Sequence, residues 1–183
     1  DSFMMPALEV PLASLIGRTI GAVSTIWDRS ILISDLKARG ATVMTIDLPL
    51  TAAALDAVDA LIVDDSIADF SATEMELLRQ RVNAGAGVLC EADNPSSINR
   101  INELFATTGI EAVSEGFRDL KFTDIRTHPM TTGVTTLQEY AVGATAFVTG
   151  SAQVLVQDPN GRAHAAISSL GDGVVVFVGN EIS

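Results

Sequence analysis

The chain predicts an α/β fold: a three-layer, flavodoxin-like, mainly parallel sheet with antiparallel strands added at its C-terminal edge. Three observations carry this. Short apolar runs of the buried-strand type recur at Thr19–Thr25, Thr42–Ile46, Ala60–Val63 and Gly87–Glu91. Between them stand stretches with helical spacing and cap residues, and β and α alternating over short connections imply right-handed crossovers and a parallel sheet covered on both faces. The last third changes character, with Asn-Gly and Gly-Asp-Gly turns between apolar runs, which are hairpin signals.

Residues 1–17 are punctuated by proline and lack a period, so they read as an irregular lead-in. After the first strand, Asp28 or Ser30 can cap a helix whose Ile31 or Leu32 and Leu36 share a face, and Gly40 supplies its stop. Strand two, Thr42–Ile46, is followed by an Ala-rich helical turn, Thr51–Ala57, and by strand three, Ala60–Val63. Ser71-Ala72-Thr73-Glu74 fits a capping box; Met75, Leu78 and Val82 recur at helical spacing, and Gly85 closes that helix before strand four. Asn94 to Ser97 can cap a further helix in which Ile98, Ile101 and Phe105 share a face, ending at Gly109. The rhythm changes after Glu111. From Lys121 the chain turns β-rich, with strands at Val154–Gln157, Ala163–Ser168 and Val174–Val178 extending one edge of the sheet without a second core.

A length of 183 residues suits one domain, and 48% hydrophobic residues can fill its interior. A net charge of -12 with a pI near 4.3 argues against nucleic acid and anionic membranes, which call for clustered Lys and Arg. No apolar run approaches the roughly 20 residues of a membrane span. Cys90 is the sole cysteine, so neither an internal disulfide nor a thiolate cluster can form, and the compartment stays open between cytoplasmic and secreted. The start without Met and the stop straight after a strand suggest a domain cut from a longer protein.

In open parallel sheets, ligands bind beyond the carboxyl ends of the strands. If strands three and four are neighbours, Asp64, Asp65, Cys90, Glu91 and Asp93 share one crevice, and Trp27 with Asp28, after strand one, can line it as a platform and an acceptor. The carboxylates could hold a hard divalent cation such as Mg²⁺ or Ca²⁺, although their spacing matches no metal motif and no other cofactor signature is present. The competing reading is structural, with Asp65, Asp93 and Asn94 capping turns and helices and the other carboxylates facing solvent. Cys90 is a nucleophile only if its pKa is lowered, which the adjacent Glu91 and Asp93 oppose. His128, before Pro129, reads as a loop residue whose ring fixes the Pro-Met-Thr-Thr-Gly turn, or as a ligand or base of the crevice. His164 reads as an outward residue of a hairpin strand.

The order of elements resembles the class I glutamine amidotransferase-like superfamily, in particular its ThuA-like and GIFT-type (intraflagellar-transport-like) branches. The phrases that carry the resemblance are Ile33 to Val43, Asp59 to Val63, Val82 to Leu89, and His128-Pro129-Met130-Thr131-Thr132-Gly133-Val134. Catalytic members place a nucleophilic Cys in a Gly-flanked elbow, with His and Glu from later in the chain. Here Cys90 is followed by Glu91-Ala92-Asp93, and neither His128 nor His164 sits in a His-x-Glu pair. The resemblance therefore implies a non-catalytic binding or interaction module within a larger protein, its partner another protein or a small polar ligand such as a carbohydrate. The alternative it implies is a ThuA-like carbohydrate-active or hydrolytic enzyme using the crevice carboxylates and His128. The sheet edge offers a surface for a homodimer.

Overall fold

Each predicted strand of the first half forms where a run of branched apolar residues can be covered on both faces, and the helices Ala52–Asp56, Ala72–Asn83 and Pro95–Leu104 where a cap satisfies free N–H groups. The structure, a computed structural model, describes residues 14–23, 30–92 and 94–179, with the backbone alone at 30, 31, 117–119 and 138–142. The order is β1 (Thr19–Val23), α1 (Ser30–Ala38), β2 (Thr42–Ile46), α2 (Ala52–Asp56), β3 (Ala60–Val63), α3 (Ala72–Asn83), β4 (Gly87–Glu91) and α4 (Pro95–Leu104). Then follow β5 (Ile110–Phe122), β6 (Asp124–Ile125), β7 (Leu137–Val148), β8 (Gln153–Gln157), β9 (Ala163–Leu170) and β10 (Gly173–Val178). The last two residues assigned to strand one, Ser24 and Thr25, lie outside the described residues, as does Asp28.

The caps are as local chemistry dictates. Ser71 Oγ accepts from Glu74 N at 3.3 Å, and Glu74 Oε2 accepts from Ser71 N at 2.9 Å. Glu74 Oε1 also accepts from Leu50 N at 2.7 Å, so the box ties α3 to the loop after β2. At α4, Asn94 Oδ1 accepts from Ser96 N and Ser97 N, both at 3.0 Å, while Pro95 in the first turn has no N–H to satisfy.

Five strands run parallel in the order β2-β1-β3-β4-β10, the flavodoxin-like order, although β10 comes from the far end of the chain. The sheet continues antiparallel through β9, whose far edge carries β8 and then β6, while β5 and β7 form a long hairpin joined to β9 at Ala146↔Ala163. The β-rich region thus begins at Ile110, earlier than the Lys121 expected from sequence, because an irregularity between Ser114 and Phe117 breaks the alternation that marks a strand.

Alternation along β4 and β10 separates two apolar layers. Val88, Cys90, Val175 and Phe177 face the larger cluster, with Leu78 and Val82 of α3 and Ile98 and Ile101 of α4. Leu89, Val176 and Val178 face a smaller one built on Phe122, Leu155, Val156 and Ala165. The hairpin belongs to both: Ile110, Ala112, Ala144 and Ala146 lie in the first, Phe122, Leu120 and Leu137 in the second. Its side chains thus reach both faces of the sheet, and the irregularity between Ser114 and Phe117 puts Ile110 and Ala112 on one face and Leu120 and Phe122 on the other. No helix among the described residues is long and apolar enough to cross a membrane.

Candidate functional site

Strands β3 and β4 are neighbours, with Val63 opposite Cys90, so Asp64, Asp65 and Glu91 do emerge at one end of the sheet. The strand order reverses between β1 and β3, and in such sheets this switch point is where a crevice opens. Asp64 follows β3 at that point. Trp27 and Asp28, the residues expected to line it from β1, lie outside the described residues, as does Asp93.

The described carboxylates are drawn into the fold. Asp64 is buried, and its Oδ1 accepts from Ser66 N at 2.9 Å, starting a 3₁₀ turn over Asp65–Asp69. Asp65 Oδ1 accepts from the hydroxyl of Ser97, a fully buried residue in the first turn of α4, where the helix dipole favours a negative group. Glu91 is only 1% exposed, on the face of the smaller apolar cluster. The expectation that carboxylates other than the capping ones face solvent is thus corrected for Asp64, which itself caps the 3₁₀ turn, and for Glu91, which lies opposite Val178 of β10.

Cys90 sits within β4, paired with Val63 on one side and Phe177 on the other, with no exposed surface. Burial, with the neighbouring Glu91 charge adding to it, pushes its thiol well above the ordinary range. A nucleophile elbow needs a sharp turn that lifts the side chain out of the sheet; here the strand runs on through Glu91. His128 lies in the loop after β6, where its ring Nδ1 accepts from Met130 N at 3.2 Å and its backbone N–H donates to Thr131 Oγ1 at 3.1 Å, holding the 3₁₀ turn Pro129–Thr131. That loop leaves β6, which adjoins β8. From β8 to β4 there are three strand spacings, roughly 14 Å along the sheet at about 4.8 Å each. The structure therefore does not bring His128 together with Asp64, Asp65 or Glu91. His164, expected to point outward, is instead buried: its ring stacks on Phe122 with centroids 4.1 Å apart.

What covers this end of the sheet was not legible from the motifs. Ala144 N of β7 donates to Gly179 O at 2.6 Å, and Gly179 N donates to His164 O at 2.8 Å, so β7 seals the end of β10. The approach is close enough that a Cβ on Gly179 would lie 1.8 Å from Ala144 O. Above this seam, Glu115 Oε1 accepts from Thr145 Oγ1 at 2.9 Å and from Arg162 Nη1, while the Arg162 guanidinium stands 5.0 Å over the Phe147 ring. None of these residues belongs to a recognisable motif, since their partners are distant in sequence. Among the described residues no group of three or more His, Cys, Asp and Glu side chains is placed to hold a metal ion.

No family model matches the sequence, and no curated protein matches it either. Solved structures do. The mmIFT52 N-terminal domain is similar with a TM-score of 0.68 and 17% identity over 88% of this chain and 86% of that one. Cytoplasmic Protein STM3548 from Salmonella typhimurium is similar with a TM-score of 0.64 and 12% identity over 90% and 87%. A part of the exo-beta-1,4-mannosidase Op5Man5 from Opitutaceae bacterium strain TAV5 is similar with a TM-score of 0.54 and 15% identity over 87% of this chain but 30% of that one. The chain thus shares its fold with the mmIFT52 N-terminal domain and with STM3548.

Proposed function

We infer that the chain is a non-catalytic binding or interaction module carried on an amidotransferase-like fold. The observation that carries this is the state of Cys90: in the ladder between β3 and β10, fully buried in the larger apolar cluster and with a raised thiol pKa, it lacks the exposure that nucleophilic catalysis needs. The seam between Ala144 and Gly179 supports the same reading, because main chain occupies the end of β10 beside it. The fold also recurs as one part of longer chains, once as an N-terminal domain and once as under a third of a mannosidase. A module of this kind presents its surface to another protein or to a small polar ligand such as a carbohydrate.

The test is turnover. The full chain is incubated with glutamine and with aryl glycosides, beside Cys90→Ala and His128→Ala. Hydrolysis no faster than buffer in all three supports the module reading. Hydrolysis that either substitution abolishes overturns it.

A further inference from the structure

A second polar feature lies at the same end of the sheet, displaced from the switch point. Gln157 ends β8 and Asp124 begins β6, paired with each other, and Gln157 also lies opposite Ala163, at the start of β9. Since β9 runs antiparallel to β10, this is the carboxyl end of the parallel strands, where α/β sheets receive ligands. Here a cleft of about 420 Å³ opens, lined by Lys121, Thr123, Asp124, Gln157, Asp158 and Gly161 over the buried Phe122. Its volume falls in the roughly 300–1,000 Å³ range of small-molecule sites.

The lining is held before any ligand arrives. Gln157 Nε2 donates to Gly161 O at 2.8 Å, and its Oε1 accepts from Arg126. Asp158 Oδ1 accepts from Asn160 N at 2.9 Å and Arg162 N at 2.8 Å, which fixes the loop 158–162. Such preorganisation lowers the entropic cost of binding. The charges are mixed. An anion would meet Asp124 and Asp158; a cation would meet Lys121, with Arg126 just behind, 3.2 Å from Asp124. A neutral molecule with several hydroxyls suits this lining, since each hydroxyl both donates and accepts, and the wall alternates ammonium, hydroxyl, carboxylate and carbonyl groups.

We propose that this cleft between β6 and the β8–β9 turn binds a neutral polyhydroxylated molecule of mono- or disaccharide size. This rests on the module reading and deepens it by giving the ligand class and place. The test is a titration of the full chain with mannobiose and with lactose, followed by ¹H–¹⁵N NMR, with sodium citrate and calcium chloride as charged controls. The expected result is saturable shifts confined to 121–124 and 157–161, with millimolar affinity that falls by about tenfold or more in Lys121→Met and Asp124→Asn. Both side chains are exposed, so the variants keep the fold. No saturable shift with either disaccharide up to about 100 mM overturns the proposal. So do shifts that only citrate or calcium elicits, or disaccharide shifts that both variants leave unchanged. Cleavage of a disaccharide during the titration would defeat the module reading instead, and absence of binding would leave that reading standing.

Discussion

Gly179→Ala is the substitution that most directly probes how the hairpin seals the end of the sheet. The new methyl would lie 1.8 Å from Ala144 O, 2.8 Å from Ala144 C and 3.1 Å from His164 Nδ1. Two of these three atoms are main chain, so relief requires β7 to move away from β10. That motion gives up the Ala144 N to Gly179 O hydrogen bond and loosens Ala144, which is fully buried in the larger cluster. Overpacking costs about 1–3 kcal/mol and a lost hydrogen bond about 0.5–1.5 kcal/mol, giving about 1.5–4.5 kcal/mol together. Against a total stability of roughly 5–15 kcal/mol this is a large fraction. The assay is urea unfolding followed by tryptophan fluorescence and far-UV circular dichroism. With m near 2 kcal/mol/M, a typical value, the midpoint should fall by about 1–2 M. Gly116→Ala is the control on the same hairpin: nothing lies within 4 Å of its added Cβ, so its effect should stay within about 0.5 kcal/mol. A Gly179→Ala midpoint within about 0.3 M of the parent would refute the close approach of β7 to the end of β10.

Two further outcomes follow from single side chains. Burial works to raise the pKa of Glu74, but hydrogen bonds from Ser71 and from Leu50 N outweigh it and hold the carboxyl below its ordinary value. A lowered folded-state pKa contributes stability above the unfolded value, near 4.3, and loses it as pH falls through the folded one. Glu74→Gln should therefore cost about 1–3 kcal/mol at neutral pH, and the gap to the parent should close in urea titrations carried down through that acidic range; a gap independent of pH would contradict the assignment. At α4, the Asn102 carboxamide accepts from Ala112 N at 2.7 Å and donates to Ala112 O at 2.9 Å, standing in for a neighbouring strand at the edge of β5. Asn102→Ala should cost about 1–3 kcal/mol and speed amide exchange at Ala112, and unchanged protection there would speak against this role.

The parallel half of the fold was legible because its signals are local. Ser71 and Glu74 are three residues apart and cap the same helix; Asn94 and Pro95 begin α4 where their chemistry requires; Gly85 ends α3 with a φ of 111°. The hairpin of β5 and β7 was harder to read. Strand β5 changes faces midway, through the irregularity at Ser114 to Phe117, so it shows no single unbroken alternation of apolar and polar residues. The same limit applies to the candidate site. That Asp64 and Asp65 follow a strand end is visible in the sequence, but that Glu91 and His164 become buried depends on Val178 of β10 and on Phe122, which are distant from them in the chain. Local sequence places a carboxylate at a crevice and says nothing of the element that later covers it.

The central claim, that the end of the sheet carrying Cys90 is structural and not a nucleophile's seat, is tested most directly by the reactivity of that thiol. The native protein is treated with a disulfide reagent across the pH range from 6 to about 10 and compared with the same protein in denaturant. A thiol that stays silent in the native state and reacts stoichiometrically once unfolded is the predicted result. Rapid stoichiometric reaction of the native protein, with a midpoint at or below the free-thiol value near 8.5, would contradict it.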